Sequence, residues 1–254
     1  MRAIVIMFAT YTRIPMPHIP WDDRSARYAI CAFPLAGAVI GLVQWGLLLL
    51  MNHMSVPAAA KACVLIAAAI LITGGIHLDG LVDTADARSS YADREKKLQI
   101  LKDPHVGAFG ILRLALYLML VVAGLDTVLT HDLRPRALFA ALLIPVFSRA
   151  CSGLAAELLP RARKSGMLTD LIGEKASEGP ARVLAVWLAA CIVALLTEPP
   201  FALLYLAAQA LLTLYYRRMA VREFGGVTGD LAGWYLCMSE LAGIWALVIA
   251  GWIR

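Results

Sequence analysis

The stretch Tyr28–Ala60, YAICAFPLAGAVIGLVQWGLLLLMNHMSVPAAA, contains no Asp, Glu, Lys or Arg. A helix crosses the hydrocarbon of a bilayer with about 20 mainly apolar residues, so this stretch alone holds a crossing. Charge-free stretches also run over 62–78, 183–197, 199–216 and 231–239. The chain as a whole is 61% hydrophobic and 16% charged, against about 25% charged for an ordinary soluble domain. That balance excludes a disordered chain and argues against a water-soluble globule. The expected fold is all-α: a polytopic integral membrane helix bundle forming a single transmembrane domain over 1–254. Seven candidate spans lie at roughly 28–51, 57–77, 110–130, 137–159, 181–197, 199–218 and 231–253. Glu198-Pro199-Pro200 marks either a tight turn or a pair of re-entrant pieces, so the count ranges from six to eight. Pro34 and Pro145 fall inside spans and are expected to kink them. Ile4–Ala9 is too short to cross and is expected in the interface.

The basic residues give an orientation. The N-terminal segment and the loops 79–109, 160–182 and 217–230 carry 17 of the 23 Lys and Arg; the opposite side carries Lys61, Arg134, Arg136 and Arg254. Arg113 and Arg149 lie within spans. Positive charge marks the cytoplasmic side, which places the N-terminus and the long loops there and, with an odd span count, the C-terminus outside. The apolar start is too short for a cleavable signal and lacks a typical cleavage site. Cys31, Cys63, Cys151, Cys191 and Cys237 stand singly without CxxC spacing, so they are expected as small buried hydrophobes rather than ligands or disulfides.

Acids beside a membrane segment are costly and therefore informative. Asp79, Asp83 and Asp86 follow at i, i+4 and i+7. If the second span continues as a helix, all three project from one face. Anions so arranged repel unless a cation sits between them, and an oxygen-only set suits a hard divalent ion such as Mg²⁺, which shares its shell with substrate phosphates. The bland alternative is a solvated acidic helix start. His77 precedes Asp79 by two residues and is turned roughly 160° away on a helix; alone, a packing or hydrogen-bonding role is commoner for it than catalysis. Asp93–Leu101 reads as a short amphipathic helix. Lys102-Asp103-Pro104-His105 and Gly107 follow it, and Arg113 adds a fixed charge one turn into the next span. Phe224-Gly225-Gly226-Val227-Thr228-Gly229-Asp230 is a second glycine-rich segment leading into a helix, where backbone amides attract anions. Glu240 lies about 15 Å further along that helix at 1.5 Å per residue and needs a partner such as Arg113 or Arg149. Arg161, Arg163 and Lys164 can bind phosphates or simply anchor topology. The segments 74–110, 160–182 and 217–230 therefore make up the expected active-site side. Their chemistry points to a transferase acting on a nucleotide-activated diphosphate.

Gly74-Gly75-Ile76-His77-Leu78-Asp79-Gly80-Leu81-Val82-Asp83-Thr84-Ala85-Asp86 resembles the signature of the adenosylcobinamide-GDP ribazoletransferase (cobalamin-5'-phosphate synthase) family. The likeness continues through Phe8 to Pro17, Phe33-Pro34-Leu35 with Gly37, Arg94 to Gly110, Ser148-Arg149, and Gly225 to Asp230 with Glu240. Ala87 stands where the family usually has Gly, and Asp103-Pro104-His105 where it tends to carry Asp-Ser-Arg. The resemblance implies a bacterial inner-membrane, multi-pass enzyme of late cobalamin synthesis that depends on Mg²⁺. It would join α-ribazole or α-ribazole 5'-phosphate to adenosylcobinamide-GDP, with attack of a ribose hydroxyl and release of GMP. Asp79, Asp83 and Asp86 are then the metal ligands, with Asp103 or Asp230 as further ones. Arg13, Lys102 and Arg113 are expected to hold phosphates, and His105, Gly107, Arg149, Thr228 and Glu240 complete the substrate-binding set. His77, Asp83 or Asp86 takes the hydroxyl proton. The partners are these substrates and the lipid bilayer; no nucleic acid is expected, and a homo-oligomer is left open. A CDP-alcohol phosphotransferase is the nearest rival, but its motif needs Gly after Asp83-x-x-Asp86 and a downstream Asp pair, both absent. A secondary transporter would need inverted repeats and midplane acids, and neither is evident.

Overall fold

The computed structural model describes residues 1–20, 22–131, 135–163, 166–173 and 178–253. Its helices are α1 (Arg2–Tyr11), α2 (Asp23–Ala29), α3 (Phe33–His53), α4 (Ala58–Thr73), α5 (Ile76–Ser89), α6 (Arg94–Ile100), α7 (Ala108–Thr130), α8 (Pro135–Leu158), α9 (Met167–Ile172), α10 (Glu178–Leu195), α11 (Pro199–Met219) and α12 (Gly229–Trp252). A 3₁₀ turn at Ile30–Ala32 joins α2 to α3, and a π-helical turn at Ala220–Phe224 extends α11. Among the described residues the only extended pairing is one bridge between Arg161 and Val227, so the all-α expectation holds. Five helical stretches are long and apolar enough to cross a membrane: Asp23–His53, α7, α8, α10 and α12. The α4–α5 pair passes the same test only when its two bent helices are counted together as one span, which brings the number to six at most. The 21-residue α11 is not in that set; its two prolines, Gln209 and three tyrosines lower its hydropathy.

The second span differs from expectation. It ends at Thr73, and Gly74 and Gly75 both adopt the left-handed region, with φ of 65° and 77°. Two successive left-handed residues end the helical hydrogen-bond ladder at no steric penalty for glycine. The chain turns by 93° between α4 and α5. The acids thus sit on a separate helix packed against α12 and α7, not on a straight continuation of α4. Because α5 is itself unbroken from Ile76 to Ser89, their shared face survives. Pro34 also differs: it occupies the first turn of α3, where proline fits without kinking a helix. Pro145 does lie inside α8.

The α3–α8 seam explains two glycines. A Cβ on Gly37 would lie 2.2 Å from the Pro145 carbonyl oxygen, and one on Gly41 would lie 2.8 Å from that of Leu142. This is a small-xxx-small contact of the kind that lets membrane helices touch backbone to backbone. Gly37→Ala should lower stability by about 1–3 kcal/mol through overpacking, read as a lower thermal midpoint in detergent. Gly46→Ala, with open space around its Cβ, is the control and should not lower it.

The long loops gather at one end. Arg13 N–H donates to Ile72 O (2.7 Å), Ala162 N–H to Val227 O (3.0 Å) and Val227 N–H to Pro160 O (2.8 Å). Arg163 donates to Leu98 O at 2.5 Å. These bonds tie residue 13 to the end of α4, and residues 160–163 to α6 and to Val227. Arg134, Lys164, Lys175 and Arg254 lie outside the described residues. The amphipathic helix over 93–101 forms as α6, with the Asp93 carboxylate accepting from Lys96 N–H at 2.9 Å. Cys151, Cys191 and Cys237 are buried as expected, whereas Cys31 is half-buried and Cys63 is exposed on α4.

Candidate active site

Two glycines seat the acidic helix. A Cβ on Gly80 would lie 2.6 Å from the Asp230 carbonyl oxygen, and one on Gly233 would lie 3.1 Å from that of His77. The contact presses α5 onto the first turns of α12. Thr228 caps α12, its Oγ1 accepting from Leu231 N–H at 3.2 Å and donating to the Asp230 carboxylate at 3.3 Å. Asp230 is thereby held beside the α5 stripe. The Asp83 carboxyl is pushed up to about 7, first by burial and then by the charges of Asp79, Asp230 and Asp86. Asp79, by contrast, is exposed. Opposite them, Arg163 faces Asp230, and its burial pulls its pKa below the usual arginine value. Asp79, Asp230, Arg163, Thr228, Thr169 and His77 line one cavity of about 320 Å³.

Asp86 belongs to the stripe but is already engaged. Its two carboxylate oxygens accept from Gly107 N–H and Gly110 N–H, each at 2.8 Å. A carboxylate at a helix start satisfies orphan amides and meets the positive end of the helix dipole. A Cβ on either glycine would lie 2.4 Å from that carboxylate, so the glycines are what admit it. Asp86→Ala should cost about 0.5–2 kcal/mol and raise amide hydrogen exchange at residues 107–110. Unchanged exchange there would refute the anchoring role. Among the described residues, no three His, Cys, Asp or Glu side chains stand ready-placed around a metal position.

The remaining expected residues divide. Arg13 crosses the bend, its Nε 2.4 Å from where a Gly74 Cβ would stand. His77 is buried, stacked on Tyr11 at 6.2 Å and edge-on to Phe33 at 5.7 Å, and its Nε2 is enclosed without a partner. Lys102, Asp103 and His105 are exposed; Asp103 accepts from His105 N–H at 3.0 Å and pairs with its Nδ1 at 2.7 Å. Glu240 finds Arg149 at 2.8 Å, one of its two expected partners, and Ser148 donates to the same carboxylate oxygen at 3.3 Å. That pair borders a different, apolar cavity of about 160 Å³ among α3, α4, α7, α8 and α12. Arg113 is exposed and lines a third cavity, again apart from the acids.

Sequence reasoning passed over Glu223. It sits in the π-helical turn, accepting from Lys97 Nζ at 2.9 Å and from Arg88 Nη2 at 3.2 Å. Burial opposes its charge, yet these two cations hold it below the usual carboxylate range. It ties α5 and α6 to the 217–230 segment. Arg94 lies flat on Gly225, where a Cβ would stand 1.8 Å from its Cζ. The available signal was a lone acid among Arg217, Arg218 and Arg222, followed by two glycines.

A family model described as cobalamin-5-phosphate synthase matches residues 3–248. A protein named adenosylcobinamide-GDP ribazoletransferase from Lachnoclostridium phytofermentans is 38% identical over 259 residues, covering 98% of this chain and 94% of its own. Proteins of the same name from Clostridium perfringens strain SM101 and Azorhizobium caulinodans are 31% and 32% identical. The first covers 98% of both chains, the second 94% of this chain and 92% of its own. No solved structure matches.

Proposed function

The chain belongs to the cobalamin-5-phosphate synthase family, and on that premise we propose that it is a multi-pass membrane adenosylcobinamide-GDP ribazoletransferase acting at the last assembly stage of cobalamin synthesis. The observation that carries this is the family match over 3–248, inside which Asp79, Asp230 and Arg163 line one cavity and Asp83 feels the charges of Asp79 and Asp230. The substrates are adenosylcobinamide-GDP and α-ribazole or its 5'-phosphate. A ribose hydroxyl oxygen bonds to the cobinamide-linked phosphorus, the bond from that phosphorus to the GMP oxygen breaks, and GMP leaves.

The donor chemistry fits Mg²⁺. Asp79, Asp83 and Asp230 offer only oxygen, and the burial and charge crowding that lift Asp83 are what a hard cation relieves. When bound there, the ion supplies charge neutralisation for the diphosphate oxygens. Arg163 and Arg13 bind the phosphates, and the Thr228-capped start of α12 offers backbone amides to the same anion. The Gly80–Asp230 contact fixes the distance between the two carboxylate-bearing helices. A carboxylate of the α5 stripe accepts the hydroxyl proton, because His77, although it lines the cavity, keeps its Nε2 buried against the protein. The concentration of basic residues at this end supports its facing the cytoplasm of a bacterial inner membrane.

The test is product identification. Membranes incubated with adenosylcobinamide-GDP, α-ribazole and Mg²⁺ should form a cobalamin product and GMP in equal amounts. Folded protein that forms neither, or that releases CMP from a CDP-alcohol instead, overturns the assignment.

A further inference from the structure

The cavity of about 610 Å³ behind α5 has no part in the chemistry above. Leu81, Ala85 and Arg88 line it. Each follows an acid of the stripe by two residues, roughly 200° around the helix, so this cavity opens on the face of α5 turned away from the diphosphate site. Its cations are Arg88, Lys97 and Arg113. Arg88 and Lys97 share the single carboxylate of Glu223, and Arg113 has no carboxylate partner among the described residues. The wall therefore carries an excess of two positive charges. Arg88 also lies over the Tyr215 ring, 5.6 Å from its centroid, and Trp234 lines the same cavity.

The surroundings identify what covers it. Arg113 is five residues past the start of α7, roughly 7–8 Å along the helix, a depth matching the interfacial layer of a bilayer. Beyond it Leu116 and Leu120 of α7 and Met238 and Leu241 of α12 line the same cavity, and Met119 beside them is exposed. The cavity thus passes from a cationic pocket at headgroup depth into an apolar groove at acyl-chain depth, with Tyr and Trp at the boundary. Basic pockets between membrane helices suit anionic headgroups. We propose that this cavity binds one anionic phospholipid, its phosphate among Arg88, Lys97 and Arg113 and an acyl chain along the groove between α7 and α12. The inference does not rest on the activity assigned above.

Native mass spectrometry of the purified full chain, titrated with phosphatidylglycerol or phosphatidylcholine, tests it. One phosphatidylglycerol should be retained in preference to phosphatidylcholine, and Arg113→Ala should weaken its binding about fivefold. Leu120→Trp, which narrows the groove without touching charge, should weaken it too. Arg218→Ala, at an exposed arginine outside the cavity, should leave it unchanged. Equal retention of both lipids overturns the proposal, as does an Arg218→Ala effect as large as that of Arg113→Ala. Displacement of the lipid by excess pyrophosphate or GMP also overturns it, because the cavity would then belong to the substrates.

Discussion

Asp83→Asn lowers turnover by at least about 100-fold, with the fold intact. Asn keeps the size and one oxygen of Asp83 but removes the charge at the centre of the α5–α12 acid cluster. Losing about 3 kcal/mol of transition-state charge stabilisation, part of what a bound cation and its ligands contribute, corresponds to roughly two orders of magnitude. GMP release under saturating substrate measures it, and activity within tenfold of the parent would remove Asp83 from the metal site. Stability should move the other way. A carboxyl raised to about 7 in the fold penalises the folded state once pH exceeds its unfolded value near 4. That penalty is fully present above 7. In EDTA-containing buffer at pH 8, the Asn protein should therefore melt at the same temperature as the parent or higher. A marked fall would mean that the acids hold the helix in place.

Arg149→Met is expected to be the most destabilising single change. Arg149 is 2% exposed, donates to Glu240 at 2.8 Å and to Pro145 O at 3.0 Å, and sits over the Phe33 ring at 5.7 Å. Removing one partner of a buried pair leaves the other charge uncompensated, a loss of about 3–5 kcal/mol. The thermal midpoint and the yield of monodisperse protein in detergent should both fall sharply. Replacing both partners, as Arg149→Met with Glu240→Met, should recover most of that loss, because two apolar side chains need no counter-charge. A double variant as unstable as the single one would show that Glu240 has a second, indispensable contact.

Charge-free runs made the membrane bundle legible, since bilayer crossing depends on composition more than on neighbours. Local chemistry was legible for the same reason: Asp93 caps α6 within three residues, and Glu240 needed an arginine at comparable depth. The bend at Gly74-Gly75 was not. A glycine pair is compatible with a continuing helix or a left-handed break, and the choice is made by what α5 packs against. Asp86 shows the same limit inside the site. Its spacing sets it on the face of Asp79 and Asp83, but the start of α7, distant in sequence, decides that its oxygens go to Gly107 and Gly110. Arg113 is the converse. Its charge invited a phosphate role, whereas its place on the far side of α5 depends on how three helices meet.

The seam between Gly80 and Asp230 also sets a timetable for biosynthesis. A chain made from its N-terminus produces α5 well before α12, so three aspartates and the bare glycine face of α5 wait in the nascent protein while α7 to α11 are still being inserted. Only when α12 arrives does Asp230 join Asp83, and only then is the cavity walled. A ribosome that stalls before Gly229 leaves most of these helices in place but an acid cluster without Asp230 and without the cavity wall that α12 supplies.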